Sequence, residues 1–262
     1  LDDTFQIYVN RVARLTLPES YRTQLQHIQT SPKYRIAEGG AAGPLPFPGY
    51  SIVTPPWIDD VDNGDFYEQV RDLQQQLLQA LPPGLLIPVP AESFHVTLAD
   101  LFWDSAYRDA NRDPGFEPQL RDRIAQIFEE YAAQHLVTRS VYWQVLGLAV
   151  RARAISVCLA PKDEAAYEQV VTMRRAIFQN SALMGLGMEQ QYHLTAHITL
   201  GYFGEIPGDL DREAVSEDLN QLSLNWLGRQ GNHSVWVHHA ELRKFDDMTH
   251  YYREPDWATL EL

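Results

Sequence analysis

Two segments, Phe94-His95-Val96-Thr97-Leu98 and Ala196-His197-Ile198-Thr199-Leu200, constrain the fold more than any other part of the 262-residue chain. Each sets a histidine and a threonine two positions apart inside an apolar, β-branched run, which reads as a strand with one buried face. Strand side chains alternate, so His95 and Thr97 share one face, as do His197 and Thr199. Val96, Leu98, Ile198 and Leu200 then turn to a core. One such segment is ordinary, because strand histidines are commonly half-buried and threonine suits strands sterically. Two copies in the same apolar frame, 102 positions apart (95 to 197), predict two half-buried strands with equivalent polar faces.

The chemistry that these faces suggest is acid/base catalysis at phosphorus. Histidine, with an ordinary pKa of ~6.5, can give or take a proton near neutrality. In-line displacement at a phosphodiester needs a base on the attacking oxygen and an acid on the leaving oxygen, on opposite sides of phosphorus. Two histidines facing each other across a groove suit that need, each proton transfer contributing on the order of 10²–10⁴-fold. A threonine hydroxyl beside each can hydrogen-bond a non-bridging oxygen. His95 and His197 are therefore the expected catalytic pair, Thr97 and Thr199 the expected phosphate contacts. The scheme calls for neither cofactor nor metal.

The paired motifs resemble the His-x-Thr signatures of the two-histidine phosphoesterase superfamily, which includes the LigT-like and 2′,3′-cyclic nucleotide phosphodiesterases. Pro44-Leu-Pro-Phe-Pro-Gly49 and Lys244-Phe-Asp-Asp-Met-Thr-His-Tyr251 are similar to segments of a little-characterised bacterial and plant branch. The resemblance runs from about Pro44 to the C-terminus. It implies a bilobal α+β fold, with two mostly antiparallel sheets, outer helices and one motif per lobe lining a central cleft. It also implies hydrolysis of 2′,3′-cyclic phosphates on nucleotides or short RNA ends. LigT-like members often carry arginine three residues after the second threonine. Here that position is Tyr202, and its counterpart after the first motif is Asp100, so RNA itself is the less favoured substrate.

Periodicity and turn signals predict helices over 18–29, 65–81, 116–135, 163–183 and 210–227, and strands over 50–54, 85–89, 93–98, 140–150, 154–160 and 194–203. Two strand-like segments, 234–245 and 251–262, close the chain as a hairpin. This order lacks the regular alternation of a doubly wound fold and points to α+β with antiparallel pairing. One bilobal domain over 1–262 is expected, with 1–43 as a helix-and-loop extension. The glycine-rich stretch 39–43 lacks a following Gly-Lys-Ser/Thr and reads as a surface loop.

The formal net charge is −14, from 35 acidic against 21 basic residues. Long nucleic acid normally meets a basic excess, so the expected partner is a small phosphorylated molecule. The chain has no apolar run long enough for a membrane span and no signal-like stretch in its first 30 residues. The single cysteine, Cys158, fits a reducing compartment. A cytoplasmic monomer is expected. Tyr50, Trp143 and Tyr202, with Phe47 and Phe203, are aromatic candidates for a wall against a base. His193 is expected at the cleft edge or in a structural role, because four strand residues put it ~13 Å from His197. Thr199, rather than Thr195, is the expected phosphate contact. Arg151 and Arg153 read as a solvated strand end, His238, His239 and His250 as surface residues, and Cys158 as a buried hydrophobe. Two other readings predict different outcomes: a phosphate- or nucleotide-binding module without turnover, and an acidic interaction protein whose two histidines point to separate surfaces.

Overall fold

A computed structural model describes residues 2–36, 42–135, 140–231 and 233–262. The chain begins with two helices, α1 (Phe5–Leu15) and α2 (Pro18–Leu25), followed by a short pair of strands, β1 (Tyr34–Ile36) and β2 (Ala42–Pro44). Next come β3 (Gly49–Val53), α3 (Gly64–Ala80), β4 (Leu86–Pro88), β5 (Thr97–Trp103), α4 (Asp104–Ala110) and α5 (Phe116–Gln134). The middle holds β6 (Tyr142–Arg151), β7 (Ala154–Pro161), α6 (Glu164–Phe178), α7 (Ser181–Gly185), β8 (His197–Phe203) and α8 (Arg212–Leu227). Four strands end the chain: β9 (Ser234–Trp236), β10 (His239–Phe245), β11 (Tyr251–Tyr252) and β12 (Thr259–Glu261).

The main strands form two five-stranded antiparallel sheets, one per lobe. The first runs β11-β10-β3-β5 with β12 also on β10, and the second runs β4-β8-β7-β6-β9. Each motif thus feeds a strand of a different sheet, β5 at one edge and β8 next to β4. The helices lie outside. α1, α2 and α8 pack on β6 and β7, α4 packs on β3 and β5, and α6 touches both β5 and β7. This arrangement is the α+β, bilobal, mostly antiparallel architecture that the sequence predicts.

Local chemistry explains where elements start. Thr4 caps α1 by accepting from the Ile7 N–H, and Asp163 caps α6 through Ala166. Pro18 occupies the first position of α2, where its missing N–H has no partner to lose. The 163–183 helix breaks in two because the Asn180 side chain accepts from Ala182 and Leu183 and starts α7. The 234–245 run also divides: β9 pairs with β6 and β10 with β3, so the chain changes lobe at Val237-His238. β10 then pairs antiparallel with both β11 and β12, as a closing hairpin requires.

Three elements carry no strong sequence signal and appear only in the structure: α1, α4 and the β1–β2 pair. Of the 39–43 stretch, Ala42 and Gly43 lie in β2, and the rest falls outside the described residues. Val96, Leu98, Ile198 and Leu200 are all buried in one hydrophobic cluster that extends through both lobes. No helix among the described residues is long and apolar enough to cross a membrane.

Candidate functional site

A cleft of about 800 Å³ opens between the two sheets, and all four motif residues line it. His95 stands two residues before β5, after a short 3₁₀ turn at Ala91–Ser93, and His197 is the first residue of β8. Both imidazoles are held the same way. His95 Nδ1 lies 2.7 Å from the Ser93 carbonyl, and His197 Nδ1 lies 2.6 Å from the Thr195 carbonyl. A carbonyl only accepts, so each Nδ1 carries the proton and each Nε2 keeps a bare lone pair. Thr97 Oγ1 sits 3.3 Å from His95 Nε2 and donates to it.

Enclosure changes what these rings do in water. Burial pulls His95 down to about 4, only partly opposed by its Ser93 hydrogen bond. Burial pulls His197 further, to about 3, with the Arg151 guanidinium adding to the effect. Arg151 Nη1 lies 3.2 Å from His197 Nδ1. Because that nitrogen already donates to Thr195, Arg151 acts there as a positive charge and not as a hydrogen-bond donor. Both histidines are therefore neutral in the free protein at pH 7, with His197 the harder to protonate. The His95 ring also packs against Tyr251, with ring centres 4.2 Å apart.

Strict alternation would carry Ala99 and Gly201 onto the cleft face, but both motif strands are bulged immediately after their threonine. In β5 the pairing steps from Val53↔Thr97 to Ile52↔Ala99, leaving Leu98 unpaired, and steps again at Leu101. The cleft face of β5 is thereby reset to Thr97, Asp100 and Trp103. In β8 the pairing steps from Ser156↔Thr199 to Ile155↔Gly201, leaving Leu200 unpaired and turning Tyr202 inward. Asp100 and Tyr202 are thus equivalent positions facing one cleft. Gly201 is needed at this approach of β4, since a Cβ there would lie 2.7 Å from the Ile87 carbonyl.

The carbonyls freed by the bulges are satisfied by buried side chains from helices. Gln74 of α3 donates through Nε2 to Leu200 O at 2.7 Å and to Val89 O at 2.9 Å. Arg174 of α6 donates through Nη1 to Leu98 O. The same guanidinium holds Asp2 with two hydrogen bonds of 2.7 and 3.0 Å. Against burial, which pushes it up, Arg174 holds the Asp2 carboxyl below its ordinary value. Asp2 in turn accepts from Leu194 N at 2.8 Å. Arg11 reaches Thr195 Oγ1 at 2.8 Å, and Ala196 N donates to the Tyr8 hydroxyl at 3.1 Å. The N-terminal segment therefore fixes the irregular stretch that delivers His197.

The structure sorts the remaining expectations. Tyr202 and Phe47 line the cleft. His193 lines a small side recess with Thr97, Asp100 and His197, and its Nδ1 lies 3.5 Å from Asp3. It precedes β8 in non-strand backbone, so the extended-strand distance assumed for it does not apply. Tyr50 and Trp143 do not line the cleft: they are 0% and 1% exposed. Ser51 takes the cleft face of β3, which leaves Tyr50 on the opposite face against Tyr107 and Trp257. Trp143 packs beneath α1 against Tyr8, and Phe203 is likewise core. Thr195 is occupied by Arg11, consistent with preferring Thr199. Cys158 is buried, and burial pushes its thiol up to about 11. His238, His239 and His250 lie off the cleft wall; His250 is exposed as expected, whereas His238 is buried, with its Nδ1 3.0 Å from the Trp236 carbonyl. Among the described residues, Asp60, Asp62 and His238 come within 4.8 Å of one another. They lie away from the cleft, and Asp60 already accepts from Asp62 N and from both nitrogens of Asn63.

Sequence reasoning set aside Arg151 and Arg153, which the turn between β6 and β7 brings to the cleft wall. It gave no signal for Lys33, a lone cation in a loop. Lys33 lines the same wall, with its ammonium 4.4 Å from the Phe47 ring centre and 3.4 Å from the Tyr202 hydroxyl.

No protein-family model matches the chain, and no curated protein sequence matches it. Among solved structures it is similar to a conserved protein of unknown function from Agrobacterium tumefaciens. The two share 18% identity over 89% of this chain and 96% of that one, with a TM-score of 0.54. Weaker likenesses are to LigT of E. coli, in a complex with 3′-AMP (16% identity, 83% and 99% covered, TM-score 0.41), and to a phosphoesterase (16% identity, 84% and 96% covered, TM-score 0.39). At this identity, the first likeness establishes a shared fold.

Proposed function

We propose that the protein is a two-histidine phosphodiesterase that opens 2′,3′-cyclic phosphates of nucleotides or short oligonucleotide ends. One observation carries the reading: two imidazoles with matching Nδ1 anchors line a single cleft, each followed by a threonine on the same wall. The interaction-protein alternative required them on separate surfaces. The 2′,3′-cyclic substrate comes from the likeness of the motifs to the two-histidine phosphoesterases.

In this scheme Thr97 and Thr199 hydrogen-bond the non-bridging oxygens. One Nε2 takes a proton from water as the new P–O bond forms. The other histidine, protonated, gives its proton to the ribose oxygen whose bond to phosphorus breaks, leaving a phosphate monoester. Arg151 distinguishes the two: a guanidinium beside His197 disfavours the imidazolium there, so His197 is the base and His95 the acid. The bound phosphodiester anion replaces water beside His95 and raises its proton affinity. The test is a hydrolysis screen on nucleoside 2′,3′-cyclic phosphates with EDTA present throughout. Turnover that resists chelation supports the reading. Turnover abolished by EDTA and restored by zinc or manganese contradicts the two-histidine mechanism, and the absence of turnover on every cyclic phosphate contradicts the substrate.

A further inference from the structure

The acid/base pair and its threonines account for one phosphoryl group, yet the cleft holds more positive charge than one group needs. Lys33, Arg151 and Arg153 all line it, in a chain whose net charge is −14. Two carboxylates stand beside them: Asp100, which accepts from Ser51 and which burial pushes up, and Asp104, which pairs with Arg108. Elsewhere the buried guanidiniums are matched closely, Arg174 with Asp2 and Arg243 with Asp59 and Glu241, as is the half-buried Lys244 with Glu117. Among the described residues none of the three cleft cations forms an ion pair. The Lys33 ammonium donates to the Tyr202 hydroxyl at 3.4 Å and to Met248 Sδ at 3.2 Å, while Phe47 and Tyr202 cover it with their rings. Burial, with Arg151 and Arg153 nearby, brings Lys33 down to about 8, against the pull of Asp100.

The three cations divide by position. Arg151 belongs to the His197 side. Lys33 and Arg153 lie on a wall built from two tied segments: Gln29 N donates to Ala152 O at 2.7 Å, and Arg153 Nη2 donates to Gln29 Oε1 at 3.2 Å. Tyr202 meets the Lys33 ammonium at its hydroxyl, which itself donates to Met248 Sδ at 3.3 Å. A cation partly stripped of water, with no carboxylate in ion-pair contact and repelled by two neighbouring guanidiniums, is relieved by an anion.

We propose that Lys33 and Arg153 form a second anion subsite, which takes a further phosphoryl group of the substrate. The substrate is then a phosphodiester bearing an additional phosphate monoester or a diphosphate, rather than a simple nucleoside cyclic phosphate. This rests on the phosphodiesterase reading for the first subsite, whereas anion binding can be read without turnover.

The experiment is calorimetric titration of the full chain with inorganic pyrophosphate and with inorganic phosphate, in wild type, Lys33→Met and Arg153→Gln. Pyrophosphate offers the second phosphoryl group that phosphate lacks and should bind about tenfold or more tightly than phosphate, the factor that one charged hydrogen bond supplies. Lys33→Met should bring pyrophosphate down to the level of phosphate, and Arg153→Gln should narrow the gap. Arg153 is exposed, so its variant keeps the test readable if Lys33→Met fails to fold. Equal affinities in wild type, no binding of either anion, or a preference that survives in every folded variant overturns the subsite. In the kinetic arm, adding a 5′-phosphate to a nucleoside 2′,3′-cyclic phosphate should lower KM in wild type and not in Arg153→Gln. If neither substrate turns over while the pyrophosphate preference and its loss persist, the phosphodiesterase reading fails and the subsite stands.

Discussion

Replacing Gln74 by Met tests whether the bulge after Thr199 is held by the helix behind it. Gln74 is 5% exposed and donates to two carbonyls, Leu200 O and Val89 O. Methionine has nearly the same length and helix propensity, so the substitution removes the donor and little else. Leu200 O keeps a bond from Val89 N at 3.1 Å, whereas Gln74 is the only donor found for Val89 O among the described residues. Two hydrogen bonds at ~1 kcal/mol each, plus ~1–2 kcal/mol for a stranded carbonyl, give a loss of about 3–4 kcal/mol. The apolar side chain returns part of this, leaving about 2–3 kcal/mol, or a fall in Tm of roughly 5–10 °C in a chain of this size. Relaxation of the bulge moves Thr199 and Tyr202 together, and a displacement of ~1 Å costs up to about 10²-fold in kcat. The assay is thermal unfolding beside turnover, with Gln75→Met on the exposed face of the same helix as control. A Gln74→Met protein as stable and as active as wild type would refute the argument that this side chain sets the cleft face of β8.

Three further outcomes follow from the site. Thr97→Val and Thr199→Val should each lower kcat/KM by about 10–100-fold, the worth of one hydrogen bond to a charged phosphoryl oxygen, with Tm nearly unchanged. A loss confined to Tm would place both threonines in structure alone. Second, kcat/KM, which reports the free protein, needs one histidine protonated and the other neutral. Burial holds both below 6.5, at about 4 and about 3, so kcat/KM should rise as the pH falls from 7 toward 4. A maximum near the ordinary histidine value would contradict the desolvation argument. Third, Arg151→Gln removes the cation beside His197, so the acidic limb of that profile should move to higher pH. An unmoved limb would detach Arg151 from the base.

Much of this site is legible in the chain because its four residues sit in a repeated frame whose apolar half must be buried. His95, Thr97, His197 and Thr199 need only strand alternation to be placed on polar faces, and the buried Val96 and Ile198 are the other half of that pattern. What lies past the threonines is not legible in this way. The bulges at Leu98 and Leu200 shift the parity of each strand, and what stabilises them, Arg174 and Gln74, comes from distant helices. Two aromatic candidates, Tyr50 and Trp143, are misplaced for a related reason: an aromatic residue on a strand suits either face. Both take the buried face, Tyr50 with Ser51 turned to the cleft in its place. Lys33 gives no periodic or motif signal, and only the folded chain brings its loop beside the turn carrying Arg151 and Arg153.

The central claim is that His95 and His197 work as one acid/base pair on phosphorus, and single-turnover hydrolysis of a nucleoside 2′,3′-cyclic phosphate tests it most directly. His95→Ala and His197→Ala should each slow the chemical step by about 10²–10⁴-fold while still binding substrate, and the double variant should lose less than the product of the two. Single variants that hydrolyse at the wild-type rate and lose only affinity would contradict the account and leave a binding module in its place.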